Sequence, residues 1–270
     1  QPAQENCALF GRLERGTAVT VRLSEGCRPP ALSRLGTSPE RWEMNLRVRM
    51  AVGFVDLARR ERWHRQVAVN LILVYEGGRE VSAQVPFSYP LPSSIPNYDF
   101  LDLGDYYRNV RAGDSVAPRY KNKDAIFRTW TARELFHPRH GLAKREKYTI
   151  LGEELLAVYA FFSHSARLFD TLSEAAVGDG SMKPIRPGVW IAARNAVVGR
   201  PIPLQLTFGA GNQDRLLAIM ELDDVRPDLG RKGFSNDLAD EVRSLGSAVI
   251  DYFTAPTRLI HLKPAGAHAI

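Results

Sequence analysis

The chain has 270 residues, 44% of them hydrophobic, with 36 Lys and Arg against 30 Asp and Glu for a formal net charge of +6. That composition builds a globular protein of one large domain or two ordinary ones, and its excess of positive charge favours an anionic partner. No apolar run reaches the roughly 20 residues that cross a bilayer, and Cys7 and Cys27 alone exclude a disulfide framework and a four-cysteine zinc site. The first residues lack the basic and apolar regions of a signal peptide, so a cytoplasmic protein with reduced cysteines is expected.

Near the N-terminus, TAVTVRL (residues 17–23) has strand character. Leu46, Val48, Met50, Val52 and Phe54 then alternate with Arg47 and Arg49, the period-2 pattern of a half-buried strand. Val67 to Tyr75 is almost continuously apolar, Gly77-Gly78 marks a turn, and Val81, Ala83, Val85 and Phe87 alternate with Glu80, Ser82 and Gln84. This predicts a hairpin with a buried first strand and a half-exposed second. Residues 1–92 therefore read as an antiparallel β subdomain. Proline and serine in the segment Ser88–Tyr98 place a boundary there, because proline supplies no donor to a central strand.

Residues 93–150 read as a basic, irregular connecting region with short helical stretches only. Arg119, Lys121, Lys123, Arg128, Arg139, Lys144, Arg145 and Lys147 are interleaved there with Tyr120, Phe127, Trp130 and Tyr148. Such a tract holds phosphates by charge and stacks bases on rings; Arg119, Lys121, Lys123, Arg128, Lys144, Arg145 and Lys147 are the candidate nucleic-acid contacts. In the alternative reading Phe127 and Trp130 are buried and only the charges face water.

Residues 151–270 read as an α+β domain with helices packed on an antiparallel sheet. Leu155, Tyr159, Phe162, Ala166, Phe169 and Leu172 recur at helical intervals behind Glu153 and Glu154, predicting one core helix. Strands are expected at Val189–Arg194, Ile202–Phe208 and Leu216–Asp223. A final helix is expected from Ser235 to Phe253, with Leu238, Val242, Leu245, Val249 and Phe253 on one face. The fold class is thus α+β throughout.

Motifs for familiar chemistry are incomplete. GAGNQDR (residues 209–215) begins like a dinucleotide loop but lacks its third glycine and following helix, and reads as a polar hairpin turn. Pro138 separates His137 from His140 and breaks the helix that would align them on a metal, so no metal site is expected. His164 lies in an apolar stretch, where a hydrogen-bonded structural histidine is the simpler reading. Glu221, Asp223, Asp224 and Asp228 with Lys232 have the residue types of a metal-dependent nuclease without its two-metal spacing. Between the last strand and last helix, Arg226, Arg231 and Lys232 gather around Pro227, Gly230 and Gly233. Three cations before a helix N-terminus make a candidate anion-binding loop; in the plainer reading Asp228 pairs with Arg231 or Lys232 and the loop only connects.

The segment Ile185–Phe234, IRPGVWIAARNAVVGRPIPLQLTFGAGNQDRLLAIMELDDVRPDLGRKGF, preceded by VYAFFSHSARLFDTLSEA, resembles the region that accompanies the ATP-binding domain of bacterial GHKL proteins (histidine kinase, gyrase B and Hsp90-like). RPDLGRKGF is its most specific piece, and the likeness covers the C-terminal part only. A GHKL ATPase site needs a helix bearing Glu and Asn, a D-x-G-x-G loop and a Gly-rich lid. VGDGSM holds Asp179 and Gly180 but not the rest of that set. The resemblance therefore implies an accessory or transducer-like module with no cofactor of its own, whose ATP chemistry resides on a GHKL ATPase domain or another chain. The expected function is a non-catalytic module coupling an ATP-driven or nucleic-acid-associated machine to its partner. A stand-alone RNA- or DNA-binding protein, and then a metal-dependent nuclease, are the alternatives.

Overall fold

A computed structural model describes residues 38–49, 52–59, 67–75, 77–105, 123–135, 142, 149–150, 153–177, 183–204, 210–223 and 236–254. The chain divides into the units Gln1–Thr37 and Ser38–Ile270, and everything described belongs to the second. The expected strand at residues 17–23 lies outside the described residues. The expected boundary at residue 92 falls inside the second unit.

The first element is helix α1, Pro39–Arg49, where alternation predicted a strand. Cap chemistry decides the difference. The Ser38 hydroxyl accepts the Arg41 N–H at 3.3 Å, proline follows at the first helical position, and Glu43 pairs with Arg47 one turn on at 3.0 Å. Among the described residues of that predicted strand, Phe54 alone takes part in β pairing, through an isolated bridge to Ala196.

Strands β1 (Val69–Val74) and β2 (Glu80–Val85) form the expected antiparallel hairpin, a two-stranded sheet of its own. Gly77 and Gly78, at φ 86° and 80°, supply the left-handed turn whose twist matches the strands. The expected burial of the first strand is corrected: β1 alternates between half-buried and exposed positions, so one face of the ribbon meets solvent.

The remaining strands are β3 (Phe100–Asp102), β4 (Ala125–Thr131), β5 (Thr149–Ile150), β6 (Glu153–Ser163), β7 (Gly188–Ala193), β8 (Ala196–Ile202) and β9 (Leu216–Leu222). Helices α2 (Ala132–Leu135), α3 (Arg167–Val177) and α4 (Asn236–Thr254) and the 3₁₀ helices Pro92–Ser94 and Ala210–Arg215 complete the described elements. The main sheet has seven strands in the order β3-β4-β6-β9-β7-β8, with β5 paired to β6. It is mixed rather than wholly antiparallel, since β3 runs parallel to β4 and β7 parallel to β9. The architecture is α+β, as the sequence predicts.

Three further expectations are corrected. The basic connecting region contributes β4, an interior strand between β3 and β6, whose Ala125, Ile126, Arg128 and Trp130 are buried. The single helix expected over residues 152–177 is strand β6 followed by α3, because LLAVYAFF is apolar on both faces and suits a strand covered on both sides. The Ser165 hydroxyl then accepts the Arg167 N–H at 3.3 Å and starts the helix. Strand β8 begins at Ala196 rather than Ile202, joined to β7 through Arg194 and Asn195 at φ 49° and 62°.

Alternation along the central strands explains the layers. Ile126, Trp130, Val158, Ala160, Phe162, Ala218 and Met220 face one way and pack under Val242, Leu245, Val249 and Phe253 of α4. Tyr159, Phe161, Trp190, Leu217 and Ile219 face the other way, under Phe169 and Leu172 of α3 with Val55, Tyr89 and Ile185. Each fully buried aliphatic side chain in these layers contributes about 1.5–3 kcal/mol.

Candidate functional site

Most residues singled out from the sequence fall outside the described residues: Arg226, Arg231 and Lys232 of the anion loop, Arg119, Lys121, Lys144, Arg145 and Lys147 of the basic tract, and His137 with His140. Lys123 and Arg128 are described, and they part company. Lys123 pairs with Asp99, its side chain 21% exposed. Arg128 is 5% exposed, because the pleat of β4 turns it with Ile126 and Trp130 toward α4. Its Nη1 donates to the Tyr252 hydroxyl at 2.5 Å, and its guanidinium lies 5.1 Å from the Trp130 ring centre. Trp130 is itself 0% exposed and meets Tyr252 edge-on at 5.1 Å. Neither side chain offers a face to a nucleic acid, which corrects the expectation for Arg128; a cation stacked on aromatic rings near the carbonyl end of a helix is a favourable interior arrangement.

Four polar side chains are buried among the described residues: Arg128, Ser163, Ser173 and Glu221. Glu221, on β9, accepts the backbone N–H of Ala58 at 2.9 Å, reaching a segment distant in sequence. The Ser173 hydroxyl donates to the Ile185 carbonyl at 3.0 Å and accepts the Ile185 N–H at 3.1 Å, fastening the segment before β7 to α3. The Ser163 hydroxyl closes the turn after β6 by bonding the Ser165 carbonyl at 2.5 Å. Tyr159 acts similarly: its phenol donates to the Ser93 hydroxyl at 2.9 Å and accepts the Ser93 N–H at 3.2 Å. Burial pushes the Tyr159 phenol well above its ordinary ionisation range, with Asp102 adding to the shift and the Ser93 bonds opposing it. These bonds draw the proline-rich stretch, with buried Tyr89 and Pro92, onto the sheet.

A further polar cluster lies where β4 begins and β6 ends. The Asp124 carboxylate accepts the Asp99 N–H at 3.3 Å, and the Asp124 carbonyl accepts the His164 N–H at 3.3 Å. Arg215 donates to the Ser163 carbonyl at 3.0 Å and to Asn212 Oδ1 at 3.1 Å while its guanidinium covers the Phe162 ring at 5.2 Å. Burial lowers the Arg215 pKa. GAGNQDR, read as a hairpin turn, contains a 3₁₀ helix, Ala210–Arg215, leading into β9. Among the described residues no three His, Cys, Asp or Glu side chains are placed to hold a metal ion. Asp223 is exposed beyond the end of β9, while Asp224, Asp228 and Lys232 lie outside the described residues.

The sequence reading missed Tyr159 and Ser173 as polar anchors. A phenol in an otherwise apolar strand is a signal for one, since a buried hydroxyl needs a partner; nothing local marks Ser173, whose partner is twelve residues away. No described helix is long and apolar enough to cross a membrane. No protein-family model matches the sequence, and no curated protein matches it at a significant level.

Proposed function

We propose that the chain is a non-catalytic module that couples an ATP-driven or nucleic-acid-associated machine to its partner. The observation that carries this reading is the use of the buried polar groups: Glu221, Ser173, Ser163 and Tyr159 each hold backbone of another segment or turn, and Arg128 holds Tyr252. Groups committed to backbone bonds stiffen a scaffold, and a stiff scaffold transmits displacement between its surfaces. The resemblance of Ile185–Phe234 to a GHKL-accompanying region supplies the class of machine. The test adds the purified chain to a GHKL ATPase domain and follows ATP turnover by that domain. A changed rate that saturates with the added chain is expected; a rate unchanged through saturating additions, with no complex formed, overturns the reading.

A further inference from the structure

We draw no further inference here: the strongest candidate, the outer face of the β1–β2 ribbon, where Ile72 and Val74 are the exposed large hydrophobics of the described residues, carries none because nothing in the structure shows what covers it.

Discussion

Tyr159 and Tyr89 are phenols inside the layer that α3 covers, and burial raises the pKa of each above the ordinary value of 10.0. A group whose folded pKa is raised contributes stability that is complete below its unfolded pKa and lost as pH rises toward the folded value. The protein should therefore lose stability progressively above about pH 10. Melting temperatures followed from about pH 8 to about pH 11 should fall less steeply for the double variant Tyr89→Phe, Tyr159→Phe than for the wild type; parallel curves would show that these phenols titrate normally. On the opposite face, Arg128 separates two roles for a cation in the basic tract. Arg128→Ala should cost roughly 2–4 kcal/mol in urea unfolding, through the lost bond to Tyr252 and the cavity beneath α4, whereas Lys123→Ala should cost less than about 1 kcal/mol. An Arg128→Ala protein of unchanged stability and weakened RNA binding would return Arg128 to the nucleic-acid surface. Sequence marks Arg128 and Lys123 identically, since the distinction arises from Arg128 lying within β4 on the side that α4 covers while Lys123 stands before the strand begins.

Helix α4 was legible from its period and the short apolar strands β7 and β9 from their length, whereas the long apolar run of β6 was not. Helix α4 and the ribbon follow their 3.6- and 2-residue patterns closely. Strand β6 resembles a helix because every residue of its centre is apolar, and periodicity carries no information when both faces are buried. In α1 the alternation was real but subordinate to Ser38 and Pro39, whose capping geometry commits the chain before the alternating residues begin. Docking of α4 depends on a close approach that its pattern does not reveal: a Cβ on Gly246 would lie 2.5 Å from Leu204 Cδ2 and 3.3 Å from Val189 Cγ2. Gly246→Ala gains about 1 kcal/mol of helix propensity but forces Leu204, itself buried, out of place at a cost of about 1–3 kcal/mol. Net destabilisation is expected in chemical unfolding. The double variant Gly246→Ala, Leu204→Ala should be more stable than the sum of its single changes; strict additivity would mean that the helix shifts without touching Leu204.

For the whole molecule, the described part from Ser38 onward is one sheet covered on both faces with a ribbon beside it, and the proline-rich stretch expected to separate domains is packed into that body through Tyr159 and Tyr89. The sequence shows proline as an absence of sheet donors; it does not show that a phenol and a serine will fasten the same stretch to a strand. The candidate site was legible only as residue types. Glu221 stands out as an acid in an apolar strand, but its bond to the Ala58 backbone follows from the fold. At this scale the buried polar groups Glu221, Ser173, Ser163 and Tyr159 hold backbone of the fold, and the proposed coupling function requires that nucleotide chemistry come from another domain or chain. Nucleotide turnover by the purified chain alone tests that most directly, measured for wild type, Glu221→Gln and Arg128→Met. The account predicts no turnover above buffer in any of them; turnover that survives further purification and disappears in Glu221→Gln or Arg128→Met would contradict it.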